Sequence, residues 1–68
     1  MKRLIKAKRL KGLYPNLTDA DISLIIDSET ATFDGILPEK AETEEGFRIL
    51  SRMASEAYHR EEYTSGLL

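Results

Sequence analysis

The chain has 68 residues, with ten basic and twelve acidic side chains, a formal net charge of −2, no cysteine and a single histidine. A chain of this length forms one small domain that buries only about 60% of the surface its unfolded form exposes. The lack of cysteine excludes a disulfide scaffold. No apolar run approaches the roughly 20 residues of a membrane span, which excludes that class too. Six of the ten positive charges fall within the first twelve residues, so the chain from Leu13 onward carries four basic against twelve acidic residues, or −8.

The first predicted helix covers residues 2–11 and is strongly basic. Its few apolar residues alternate with six cations, which are Lys2, Arg3, Lys6, Lys8, Arg9 and Lys11. Gly12 is the expected residue after the helix, because glycine accepts the left-handed conformation that commonly ends one. Pro15 then predicts a turn, since proline lacks the amide donor that a helix needs and disfavours helix at the residue before it.

The start of the second predicted helix carries two independent signals. Thr18 is a good N-cap, and Asp19 and Asp21 place negative charge in the first turn, where the helix dipole favours it. Leu17 and Ile22 occupy the two positions of a hydrophobic staple. Both signals place the start of the helix at residue 19.

Apolar residues at helical spacing extend this central helix to residue 36. The stripe consists of Ile22, Ile25, Ile26 and Phe33. Pro38 ends the helix or begins the next segment.

The third predicted helix covers residues 43–62. Thr43 is the expected N-cap, followed by the acidic pair Glu44 and Glu45 in the first turn. Its apolar stripe includes Phe47, Leu50, Met53 and Tyr58. The sequence therefore predicts an all-α fold, a single small three-helix domain over residues 1–68. It has a short basic helix, a central helix, a longer C-terminal helix and a flexible C-terminal tail.

The predicted core combines the stripes of the second and third helices. It consists of Ile22, Ile25, Ile26, Phe33, Phe47, Leu50, Met53 and Tyr58. The tail carries apolar residues with no further element to pack against, and we expect it to dock on a partner or to remain disordered. The docking residues would be Tyr63, Thr64, Ser65, Leu67 and Leu68.

The sequence offers little chemistry for catalysis, which requires a nucleophile, an acid–base pair or a metal site in a concave pocket. His59 is the only imidazole and lies among charged residues, which is typical of a solvated surface histidine. No phosphate-binding loop and no cysteine pair occur. We therefore expect no enzymatic activity, no cofactor and no metal.

The basic first helix has two open interpretations. It could contact an acidic protein surface or several phosphates of a nucleic acid. It could equally be a solvated face that offsets the acidic remainder of its own molecule. No aromatic residue accompanies the cations for stacking on bases, so nucleic-acid contact would be weak and salt-sensitive.

Three motifs follow the basic start of the chain. They are Leu17-Thr18-Asp19-Ala20-Asp21 leading into an apolar run, Phe33-Asp34-Gly35-Ile36-Leu37-Pro38-Glu39, and Met53-Ala54-Ser55-Glu56-Ala57-Tyr58-His59-Arg60. This order of features resembles the small head-to-tail connector, or adaptor, proteins of tailed bacteriophages, whose third helix is rich in Ala and Tyr. The match spans nearly the whole chain.

The resemblance implies a structural protein of the virion neck, made in the host cytoplasm. Such a protein forms a ring of like subunits, usually a dodecamer, between the portal protein and a tail or stopper protein, and DNA passes through it. The basic helix would then contact an adjacent subunit, the portal or the DNA in the channel. The alternatives are a small phage or plasmid regulatory protein that binds a host protein, and a weak nucleic-acid-binding protein.

Overall fold

The computed structural model describes the backbone of residues 2–67 and the side chains of residues 3–61. Its helices are α1 (Lys2–Leu13), α2 (Asp19–Ser28) and α3 (Glu44–Leu67), with two 3₁₀ turns, Phe33–Gly35 and Pro38–Lys40, between α2 and α3. No strand occurs in the backbone range given above. The predicted all-α fold is confirmed.

Helix α1 begins at the predicted residue but does not end at Gly12. Gly12 lies inside the helix, no glycine among the described residues has a positive φ, and the amide of Tyr14 still donates to the carbonyl of Leu10 at 2.8 Å. The predicted end at residue 11 is wrong because glycine also tolerates the helical conformation. Pro15, which follows, ends the helix by its missing amide.

Helix α2 begins as predicted but is much shorter than the predicted 19–36. Thr18 has an extended backbone and its side chain accepts a hydrogen bond from the amide of Asp21, which confirms the N-cap. The helix ends at Ser28. The two 3₁₀ turns then close with bonds between residues three apart, among them Gly35 to Thr32 and Ile36 to Phe33. Weak helix formers around Thr30 and Thr32 explain this early end.

Helix α3 starts one residue after the predicted position, because Thr43 is its N-cap. The Thr43 hydroxyl accepts a hydrogen bond from the amide of Gly46 at 3.1 Å, and its carbonyl accepts from the amide of Phe47 at 3.0 Å. The bounds of α3 reach Leu67, past the predicted end at residue 62.

Among the described side chains, seven apolar residues of the loops, α2 and α3 form the core. They are Leu17, Ile22, Ile25, Ile36, Ile49, Leu50 and Ala57. Of the predicted core, Ile22, Ile25 and Leu50 are buried, while Ile26 and Met53 are half-buried against it. Leu17 and Ile22 both lie in this core, which is consistent with the predicted hydrophobic staple.

Three aromatic residues assigned to the core by sequence lie outside it. Phe33, Phe47 and Tyr58 are 36%, 50% and 48% exposed. Phe33 is not part of α2, because that helix ends at Ser28, and it packs edge-on against Tyr58 with ring centroids 5.1 Å apart. On α3 the inward face is centred on Leu50 and Ala57, which leaves Phe47 and Tyr58 beside the core.

Candidate interaction surface

The basic helix α1 lies along α2 and packs against the core by one face only. Ala7 and Leu10 lie on that face, and Tyr14 continues it just after the helix; all three are half-buried against the core. Positions three, four and seven residues apart lie on one side of a helix, and the exposed Arg9 lies on the opposite side. Helix α1 therefore has an inner and an outer face.

Three of the six predicted contact cations are engaged by their own chain. Arg3 forms an ion pair with Asp27 at 2.8 Å and donates to the Ser23 hydroxyl at 2.9 Å. Lys6 pairs with Glu29. These contacts hold the start of α1 to the end of α2, so the two helices run antiparallel.

Lys11 is also engaged within the molecule, since its ammonium group donates to the carbonyl of Leu17 at 2.7 Å. The side chain of Lys2 lies outside the described residues. Lys8 and Arg9 are exposed, and neither has an ion pair or hydrogen bond with any side chain or backbone group in the described part of the chain. Arg3, Lys6 and Lys11 of the predicted basic contact surface therefore bind groups of their own chain. Lys8 and Arg9 remain available to a partner.

Large apolar side chains accompany Lys8 and Arg9. Leu4, Ile5 and Leu13 are 62%, 61% and 65% exposed. Leu4 and Lys8 are four residues apart, as are Ile5, Arg9 and Leu13, so the five side chains form two adjacent rows on the helix. We call these five residues the outer face of α1.

A groove of about 590 Å³ lies between α1 and α2, beside the outer face. Leu4, Ala7, Ile22 and Ile26 supply its apolar lining. Lys8 also lines it, so the groove and the outer face are continuous along one edge.

Asp21 is a fully buried carboxylate that joins the starts of α2 and α3. One of its oxygens accepts from the amide of Glu42 at 2.6 Å, and the other from the amide of Thr43 at 3.1 Å and from the Thr43 hydroxyl. Burial acts to raise the pKa of Asp21, but the hydrogen bonds from Thr43, Glu42 and the Thr18 amide together outweigh it and hold the pKa below its ordinary value. A carboxylate at the N-terminus of α3 is also favoured by the helix dipole.

The Asp21 junction requires a glycine in the first turn of α3. A β-carbon at Gly46 would lie 2.6 Å from Oδ2 of Asp21, well inside van der Waals contact. From the sequence, Asp21 is expected only in the acidic first turn of α2. The signals that could have found the junction are the Thr18-x-x-Asp21 spacing of a capping box and the weak helix former Gly46 just after an N-cap.

The junction places an acidic surface at the start of α3. Glu39, Glu42 and Glu44 are exposed there, and two large apolar side chains, Leu37 and Phe47, are 37% and 50% exposed along the same stretch. We call these five residues the acidic edge.

The acidic edge is only loosely neutralised by the cations around it. Glu44 lies 3.8 Å from Arg48, and its side chain remains 90% exposed. Lys40 is also present, and residues 37–48 contain four acidic against two basic side chains, or −2. The edge therefore combines a net negative charge with exposed apolar residues.

The remaining predicted features are the single histidine and the docking tail. His59 stacks edge-on against Tyr58 with ring centroids 5.7 Å apart, and the described side chains contain no group of three or more potential metal ligands. Within the same part of the chain, no helix has both the length and the apolar character to cross a membrane. The predicted docking-tail side chains, Tyr63, Thr64, Ser65, Leu67 and Leu68, lie outside the described side chains, so that role stays a prediction.

Comparisons with protein-family models, with curated proteins and with solved structures found no match to this chain.

Proposed function

We propose that this protein is a structural assembly protein that works through the outer face of α1. The observation that carries the proposal is that this face keeps three large apolar side chains and two cations exposed after the chain has folded. A contact with another protein would remove the apolar part of this face from water.

The shape of the molecule supports a need for neighbours. Its principal extents are 41, 26 and 16 Å, so it is thin in one direction. Its radius of gyration is 12.8 Å, against the roughly 11 Å expected for a compact chain of this length. A thin domain has a small core for its surface, and association adds the burial that the single chain lacks.

The assembly we propose is a ring of like subunits in the neck of a tailed phage, between the portal protein and a tail or stopper protein. The order of sequence features, which resembles the connector family, is the support for this setting. The small core and the separation of basic and acidic surfaces on one chain fit a contact between unlike faces of identical subunits, which closes into a ring when the rotation allows.

Measuring the native mass of the chain, alone and with portal protein from the same source genome, tests this proposal. The expected result is a multi-subunit species that binds the portal and has a ring shape in electron micrographs. A chain that stays a single subunit in both samples would overturn it. A defined one-to-one complex with a host protein would favour the alternative regulatory role.

Weak nucleic-acid binding is the second candidate, and the free cations Lys8 and Arg9 favour it. Since about 0.9 of a counterion is released per neutralised phosphate, two free cations predict a slope near −2 in a plot of log affinity against log salt. Titration of duplex DNA at several salt concentrations measures this slope. No affinity at low salt would rule out this candidate.

A further inference from the structure

The two exposed apolar surfaces of the chain have opposite charge. The outer face of α1 contributes Lys8 and Arg9, and the described part of α1 contains no acidic residue. The acidic edge contributes Glu39, Glu42 and Glu44. Each surface repels a copy of itself and attracts a copy of the other.

We infer that the outer face of α1 binds the acidic edge of a second copy of this chain. The inference rests on the proposed function and names the contact through which its subunits associate. Leu4, Ile5 and Leu13 of one copy would cover Leu37 and Phe47 of the next. The cations and carboxylates at the margins set the orientation of the two chains.

The contact has a defined symmetry, because its two sides are different surfaces. Each subunit uses its outer face toward one neighbour and its acidic edge toward the other. A two-fold dimer centred on either surface alone would bring like charges together, so that arrangement is disfavoured. A single contact between unlike surfaces leaves one outer face and one acidic edge open to further subunits. The contact therefore produces a ring or a chain of subunits, and its growth stops wherever one of the two surfaces is disabled.

Two sets of charge-neutralising substitutions disable the two surfaces separately. Lys8→Gln with Arg9→Gln disables the outer face, and Glu39→Gln with Glu42→Gln and Glu44→Gln disables the acidic edge. None of these side chains is buried. Among the described side chains, the loose pair of Glu44 with Arg48 is the one ion pair removed, and the backbone of Glu42 still donates to Asp21. Both variants should keep the helical content of the wild-type chain, which circular dichroism checks before assembly is measured.

Analytical ultracentrifugation of each variant alone and of an equimolar mixture tests the inference. Each variant alone should self-associate at least about tenfold more weakly than wild type, the loss expected for removing close charge pairs across an interface. The mixture should give a two-subunit species and nothing larger, since it contains one intact surface of each kind. Arg52→Gln, which removes an exposed cation of α3, should associate like wild type.

The outcomes separate this inference from the proposed function. If wild type forms a multi-subunit species and the Lys8→Gln/Arg9→Gln variant forms it equally well, the assembly role stands and the assigned contact is overturned. A mixture that assembles to the size of wild type would overturn it too, because growth would then not depend on both surfaces. If wild type itself remains a single subunit at every concentration, both the contact and the proposed association of like subunits are overturned.

Discussion

Replacing Asp21 with asparagine should destabilise the fold far more than its conservative chemistry suggests. The carboxylate is fully buried and accepts hydrogen bonds from the amide of Glu42 and from the amide and hydroxyl of Thr43. An amide side chain of the same shape has one acceptor oxygen in place of two. Its NH₂ group would face a donor that has no other partner.

The size of the effect follows from the hydrogen bonds that the substitution removes or weakens. A buried donor without an acceptor costs about 1–3 kcal/mol, and the remaining bonds become neutral and weaker, by about another 1 kcal/mol. The free energy of unfolding should fall by about 2–4 kcal/mol. In a domain of this size each kcal/mol shifts Tm by about 4–8 °C, so Tm should fall by at least about 8 °C.

Thermal and urea unfolding, followed by circular dichroism at pH 7, measures this difference. Asp19→Asn is the matched control, because Asp19 is exposed in the same first turn of α2 and loses only about 0.3–1 kcal/mol of helix-dipole interaction. Equal Tm values for Asp21→Asn and Asp19→Asn would refute the claim that Asp21 holds α2 and α3 together.

Three further predictions concern the same fold. Gly46→Ala should lower the free energy of unfolding by about 1–3 kcal/mol, because its β-carbon overlaps Asp21. Gly12→Ala, with open space around it, should raise that free energy by about 0.5–1 kcal/mol. Urea midpoints that shift in the same direction for both variants would contradict this. Leu17→Ala truncates a fully buried side chain and should lower the free energy of unfolding by about 2–5 kcal/mol. Leu13 is exposed, so Leu13→Ala should leave the urea midpoint of the isolated subunit nearly unchanged. The pKa of Asp21 is lower in the folded chain than its ordinary value of 3.8. The stability that its ionised carboxylate contributes is therefore fully present above pH 3.8 and is lost as the pH falls through the pKa of the folded chain. An acid-unfolding curve unaltered by Asp21→Asn would argue against this contribution.

The sequence predicts those features of the fold that depend on neighbouring residues. The caps at Thr18 and Thr43 are predictable because each is a hydroxyl just before an acidic first turn, and the structure places both as expected. The helical class follows from the spacing of apolar residues. The end of α1 is predicted too early, because Gly12 can end a helix or continue it, and Pro15 is the residue that stops this one.

Features that depend on contacts between distant residues are not predictable in the same way. The burial of Asp21 arises from the loop at Glu42 and Thr43, about twenty residues away, and the capping-box spacing in the first turn of α2 does not identify those partners. The apolar stripe continues at helical spacing to Phe33, past the end of α2 at Ser28. A prediction from spacing alone therefore extends the helix too far, because it ignores the weak helix formers between these two residues. Ile36, in the loop, completes the core in place of Phe33.

The candidate surface is predictable only in part. From the sequence, all the cations of α1 are expected to form one contact set. The density of positive charge does not show which cations form ion pairs within the chain. The structure divides the set, since Arg3 and Lys6 form ion pairs with α2 while Lys8 and Arg9 do not. The exposed Leu4, Ile5 and Leu13 are absent from the predicted surface, because that prediction considers only the cations.

The most direct test of the central claim compares one identical substitution at two sites. Arg9→Glu reverses a free cation on the outer face of α1, and Arg52→Glu reverses an exposed cation of α3, with the same change in net charge. Sedimentation of the two variants beside wild type should show the same multi-subunit species for wild type and Arg52→Glu, and a single subunit for Arg9→Glu. Assembly of Arg9→Glu to the wild-type mass would contradict the claim that this face joins the subunits.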